Sequence, residues 1–322
     1  MSAAATAGRA PAGSEAPKDE GGGLSTKMKV LIGFGTLVAL AIIMNLLFPS
    51  EGKNEEFQPQ NEFKLDSWVE LKLGPFDMSL NKAVLYLFLA CALTTAVMVY
   101  ISKRMQDRPN RVQTAVEVTY DLTRNQITRG NMDDRMAKKW FPFIATLFFF
   151  ILISNIIGYI PLPTNTEHKV DILGVAVPTF AIYAATANLS IPLVLTLIVW
   201  FAYHIEGIRH HGFVGYLKSW VPAGVTGPAA VPIFAIEVIS HFVRIISLSV
   251  RLFANVLAGH LLILFMGGGL VVLLGLAALG VFTLPLAIGF FMFEVVLIAG
   301  LQAFIFATLT SIYLGGATAE SH

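Results

Sequence analysis

The chain has 322 residues, 55% of them hydrophobic and only 13% charged, with 24 Phe. A soluble domain carries about 25% charged residues, so the composition excludes an ordinary water-soluble globule and points to a protein embedded in a bilayer. The formal net charge of +1 gives no reason to expect nucleic acid as a partner. The single cysteine, Cys91, excludes an internal disulfide framework or a cysteine metal site. Lying in an apolar run, it is expected to be inertly buried.

Residues 1–29 are small, polar and rich in Gly and Pro, a composition that buries too little apolar surface to fold and predicts a disordered cytoplasmic extension. The run Val30–Phe48, "VLIGFGTLVALAIIMNLLF", is long enough to cross a bilayer. No small-x-small cleavage site follows it, which favours an additional anchor over a removed signal. Residues 49–82 are polar with scattered aromatics and are expected outside the membrane. Further spans are predicted over Ala83–Ile101, Trp140–Ile160 and Val175–Tyr203. Beyond Ala229 the chain is apolar nearly to Leu314. This stretch predicts two long tilted helices with a turn near 270–285, where "MGGGL" and then Thr283 and Pro285 offer breaks. The expected fold is an all-α membrane protein of about six transmembrane helices.

Lysine and arginine placement sets the orientation. The segment 102–139 holds nine of them and 161–174 only Lys169. The first is therefore read as cytoplasmic and the second as external, with 205–225 and the C-terminus inside. Within the basic segment, "RVQTAVEVTYDLTRNQITRG" carries apolar residues at 112, 115, 116, 118 and 122. That spacing predicts an amphipathic helix on the cytoplasmic face or against a partner.

The fifth span carries the chemistry. Glu237, His241, Arg244, Arg251 and Asn255 are separated by 4, 3, 7 and 4 residues, which places them within an arc of about 80° on a helix. Apolar residues such as Ile239 and Phe242 take other sides. A polar stripe at membrane depth has to face protein or water. His260 falls off the stripe and is assigned to a separate aqueous pocket. The last span adds Glu294 and Gln302, with Ala299, Gly300, Ala303 and Ala307 as small residues for close helix approach. Carboxylates and imidazoles exchange protons near neutral pH once their surroundings tune them, whereas a guanidinium stays charged. A line of Glu and His that stops at Arg251 reads as proton access ending at a fixed cation. Arg244 competes for the internal acids Glu237 and Glu294, so the carboxylate that Arg251 needs is expected from another chain.

Blander roles compete with this reading. Glu237 with Arg244 or His241 has a structural pair between helices as its lesser alternative, and Asn255 and Gln302 have ordinary interhelical hydrogen bonds of about 0.6 kcal/mol each. Arg251 resists such a reading, because an arginine at mid-bilayer costs roughly 2.5–3.5 kcal/mol even on lenient insertion scales. "HIEGIRHH", with His204, His210 and His211, reads as a solvated interfacial loop rather than a metal site. "MGGGL" has no GK[ST] after it and is no phosphate loop. No catalytic, cofactor or metal set is predicted. A proton-coupled secondary transporter is the main alternative function, although such proteins usually carry internal repeats and none is evident.

The stretch "ISLSVRLFANVLAGHLLILF" closely resembles the signature of the subunit a family of F-type ATP synthases. "VQTAVEVTYDLTRNQI", "ISNIIGYIPLP" and "LQAFIFATLTSIYL" agree with it, and the resemblance covers about residues 83–316. It implies a non-catalytic, multi-pass subunit of the bacterial inner membrane, set beside the rotating subunit c ring and the subunit b peripheral stalk. Two aqueous half-channels would deliver protons to and from the ring carboxylates. Arg251 would match the essential arginine that faces those carboxylates and separates the channels. Glu237 and Arg244 would match upstream polar positions, Asn255 and His260 half-channel positions, and Gln302 the glutamine of the last helix. His260 stands where relatives have Glu, and Glu294 lies one residue off the register of the acidic or histidine position. The first 48 residues go beyond the usual family pattern.

Overall fold

In the computed structural model the described residues are 25–47, 63, 65, 67–70, 72–73, 76–77, 79–105, 108–162, 169–172, 175–178, 183–222, 225, 227–269, 271 and 279–319. The extension predicted over 1–29 falls almost wholly outside them. Six helical segments are long and apolar enough to cross a membrane: Thr26–Leu47, Lys82–Lys103, Asp134–Gly158, Ser190–His211, Gly227–Gly269 and Gly280–Thr318. We name the helices α1 (Thr26–Leu47), α2 (Lys82–Lys103), α3 (Arg111–Asp121), α4 (Asp134–Gly158), α5 (Ser190–His211), α6 (Phe213–Lys218), α7 (Ala230–Leu264), α8 (Gly280–Phe293) and α9 (Ala299–Thr318). Three π-type turns extend or join them: Leu122–Thr128 after α3, Phe265–Gly269 after α7, and Glu294–Ile298 between α8 and α9. Two short antiparallel hairpins, β1 (Lys72–Leu73) with β2 (Phe76–Asp77) and β3 (Lys169–Ile172) with β4 (Val175–Pro178), lie outside the helices.

Several boundaries differ from expectation for local reasons. The fourth span begins at Ser190, not Val175, because Val175–Pro178 pairs with Lys169–Ile172 instead. The Asn188 side chain then accepts from Ser190 N at 2.9 Å and opens α5. α4 starts six residues before Trp140, since the Asp133 carboxylate caps it by accepting from Arg135 N at 3.2 Å and Met136 N at 3.4 Å. Asn110 caps α3 in the same way, accepting from Gln113 N at 2.8 Å. The expected break at Thr283 and Pro285 is absent, since both lie inside α8. Cys91 is exposed rather than buried, because α2 turns Tyr86, Ala90 and Thr94 inward and leaves its neighbour on the outer face.

α4 is the hub. Its Ile144, Leu147, Phe148 and Ile151 pack with Val199 and Tyr203 of α5, with Leu248, Leu252 and Val256 of α7, and with Ala303, Phe306, Ala307 and Leu314 of α9. Ala299, Ala303 and Ala307 are fully buried, as close helix approach requires; Gly300 meets nothing within 4 Å on its Cβ side and takes no part. α2 closes the other flank through Tyr86 and Ala90 against Ile157 and Tyr183. α1 buries none of its own side chains and rests against α8. The segment 227–269 counts 43 residues and 280–318 counts 39. At 1.5 Å per residue each spans roughly 60 Å, about twice the hydrocarbon thickness, so both lie steeply tilted in a bilayer.

One ion pair fastens α4 to α5 at the end of the bundle bearing the basic segment, hereafter the basic end. Lys139 Nζ meets Glu206 Oε1 at 2.5 Å, with the Glu206 side chain only 5% exposed. Removing one partner of a fully buried pair costs about 3–5 kcal/mol; half of Lys139 is in contact with solvent, which lowers that figure. Lys139→Met is expected to reduce the amount of chain recovered in membranes, and a companion Glu206→Gln to restore it. Quantitative immunoblotting measures both.

Candidate functional site

α7 places the polar stripe at the margin of its packed side. Its buried residues include His241, Leu248, Leu252, Val256 and His260, a face whose centre lies about 80° round the helix from Glu237. The stripe therefore divides. His241 turns inward, Glu237 and Arg244 are each about one-third exposed, and Arg251 and Asn255 point out of the bundle. Sequence periodicity set the angles between these groups, and packing decides which of them meet.

The first cluster lies toward the basic end. Arg244 Nη2 donates to Glu237 Oε1 at 3.0 Å, and its guanidinium lies over the Tyr313 ring, 5.1 Å from the centroid. His241 Nδ1 faces the Tyr203 hydroxyl at 3.0 Å and Arg244 Nη1 at 3.4 Å. A guanidinium can only donate, so this nitrogen is the acceptor and the ring proton sits on Nε2, 3.7 Å from Glu237 Oε1. Around them is a cavity of about 400 Å³ lined by Tyr203, Trp220, Glu237, His241, Arg244 and Tyr313. Of these, Tyr203, Trp220 and Tyr313 went unnoticed in the sequence; His204, read there as part of a solvated loop, has its ring against Trp200, Tyr216 and Trp220. The expected solvated loop around His204 is in fact the last two turns of α5.

The second cluster lies toward the opposite end of α7. His260 is buried, with Nδ1 at 2.8 Å from Val256 O and Nε2 at 3.1 Å from Gly158 O. A neutral imidazole has one N–H and satisfies one of these carbonyls; an imidazolium satisfies both. The ring stacks on Tyr159, 4.8 Å between centroids. The buried Glu294 carboxylate packs directly on the backbone of Gly259, occupying the space a β-carbon would take. The Tyr159 hydroxyl faces the same carboxylate without a well-formed hydrogen bond. Gln302 is buried further along the last helix. Nearby, the Thr186 hydroxyl donates to Asn155 Oδ1 at 2.8 Å. Gly259→Val has to displace either the carboxylate or the helix.

Between the clusters stands Arg251. Its Nη2 reaches Ser247 Oγ at 3.4 Å, and among the described residues it forms no ion pair. Both internal acids are engaged elsewhere, Glu237 by Arg244 and Glu294 against Gly259, about two turns along α7 and about 80° round it from Arg251. Counted along the helix, Arg251 lies about 10 Å from Arg244 and about 14 Å from His260.

These features define a multi-pass helical membrane protein that holds two sets of titratable groups at membrane depth, one on either side of an outward-facing arginine. Comparison with known proteins gives the family. Residues 84–315 match the model of the ATP synthase A chain. The "ATP synthase subunit a" of Rubrobacter xylanophilus is 35% identical over 252 residues, 77% of this chain and 88% of that one. Its namesakes in Mesorhizobium japonicum and Hyphomonas neptunium are 33% and 31% identical over 272 residues, covering 99% and 97% of their own lengths. The chain belongs to the ATP synthase A chain family. Its first span, α1, precedes the matched region.

Proposed function

We propose that this chain is the proton-conducting stator subunit of a rotary ATP synthase, working against a ring of subunit c in a bacterial inner membrane. The cavity beside Glu237, His241 and Arg244 has room for about ten waters and forms the cytoplasmic half-path. The Tyr159, His260, Glu294 and Gln302 group, with Asn255, borders the external one. A proton entering from outside reaches a ring carboxylate, travels round with the ring, and leaves past Arg244 and Glu237. Arg251 keeps the two half-paths from joining, because a guanidinium repels a proton and cannot relay one. It also holds the arriving ring carboxylate in its ionised form. The driving force is about 2.3 kcal/mol per charge for each 100 mV across the membrane.

One observation carries the reading: Arg251 faces outward at membrane depth while the acids of its own chain are engaged elsewhere. A cation left so in lipid is costly, and an acid on a moving partner relieves that cost once per passage. The secondary-transporter alternative has lost ground, since the chain belongs to a synthase family. Subunit b and the remaining synthase subunits complete the assembly around it, and no active site for ATP is assigned to this chain.

Ala254 is exposed on the same side of α7 as Arg251 and offers the test. In the whole complex, Ala254→Cys is expected to form a disulfide with cysteines placed along the outer helix of subunit c. Leu93→Cys on the exposed side of α2 is expected to form none. The reverse pattern would remove the ring from this face.

A further inference from the structure

Within α9 buried positions recur every three or four residues, at Ala299, Gln302 or Ala303, Phe306, Thr310 and Leu314; upstream, Thr283 and Ala287 are four apart and Glu294 follows seven on, two turns along the same face. The step from Glu294 to Ala299 is five. That step coincides with the π-type turn Glu294–Ile298, in which each N–H reaches one residue further back and the turn takes in one residue more. The consequence for Glu294 and Gln302, eight residues apart, is angular. On an unbroken α-helix they would diverge by about 80°; removing one residue from the count brings them to about 20°. Both are in fact buried.

From this we infer that the wide turn is a register device for the external half-path. It absorbs one surplus residue and so turns the Glu294 carboxylate onto the face that carries Gln302, against Gly259 and opposite Tyr159. The turn itself contributes no titratable group beyond Glu294. Val296 and Leu297 inside it point away from the bundle, so its role is to position and not to conduct. The inference rests on the proposed function, because it presumes that Glu294 handles protons.

The test deletes Val296, which is 73% exposed, from the chain in the complete synthase. Deletion closes the wide turn to ordinary helix and leaves Glu294 and Gln302 seven residues apart on one face. ATP-driven proton pumping is expected to stay within about twofold of the parent. Inserting one alanine between Val296 and Leu297 adds a second surplus residue, swings Glu294 about 100° off the face, and is expected to lower pumping at least tenfold. The inference is overturned if the deletion fails as badly as the insertion, in assembly or in pumping, or if the insertion pumps like the parent. Glu294→Gln separates the two layers. Parental pumping by that variant removes Glu294 from the proton path; loss of pumping by it, together with failure of the deletion, removes the register device alone.

Discussion

Arg251→Ala is expected to abolish ATP-driven proton pumping while the complex still assembles. The side chain touches little of its own chain: one hydroxyl, that of Ser247, at 3.4 Å. Replacing it removes no buried contact and leaves no acid of this chain unpaired. The fold should gain slightly, since a charge that costs roughly 2.5–3.5 kcal/mol at mid-bilayer is removed. Under the proposed function the loss falls on the partner, because a ring carboxylate passing a neutral helix would have nothing to hold it ionised. The two half-paths proposed above, about 10 Å and 14 Å along the helix from this point, would then have no cation between them. Passive leak of protons through the membrane sector should therefore rise as coupled pumping falls. Arg251→Lys keeps the charge but offers a compact ammonium in place of a fork, and should retain at most a small fraction of the coupled rate. Quenching of a pH-sensitive dye in inverted vesicles measures pumping; the decay of an imposed gradient measures leak. Normal coupled pumping by Arg251→Ala would remove the residue from the mechanism.

How much of this was legible beforehand depends on what each feature requires. The six spans follow from runs of apolar residues, and the polar arc of α7 from a 3.6-residue period, so both could be read from the chain alone. Periodicity fixes angles and leaves neighbours unspecified. It put His241 and Arg251 on one stripe, yet the packed face cuts between them, burying the first against Tyr203 and leaving the second outside. The aromatic surround of His241 brings Trp200, Tyr203 and His204 from α5 together with Trp220 beyond α6, at separations no local pattern reports. Val175–Pro178 is apolar enough for a span and becomes a strand because Lys169–Ile172 lies within hairpin reach. The wide turn at "EVVLI" contains no glycine or proline to announce it. Only the five-residue step in burial reveals it, and burial is a property of the folded bundle.

His260→Gln is expected to assemble within about twofold of the parent and to pump at least tenfold more slowly. The comparison with His260→Ala gives this result its meaning. The imidazole joins α7 to the end of α4 through Gly158 O and stacks on Tyr159, so truncation to alanine does two things at once. It empties a packed site and, where the ring's one N–H is donated to Gly158 O, strips that buried carbonyl of its donor, a loss of about 1–3 kcal/mol if the group is left unsatisfied. Some decline in assembly is therefore built into the alanine variant, whatever the residue does with protons. Glutamine keeps a side-chain N–H donor and much of the volume but cannot titrate. In the parent, gain of a proton lets the ring donate to Val256 O and Gly158 O together, and its loss frees one of them. Glutamine lacks that alternation. Should His260→Gln pump at the parental rate with normal assembly, the histidine would be a bolt between α4 and α7, and the external path would have to run through Glu294 and Gln302 without it.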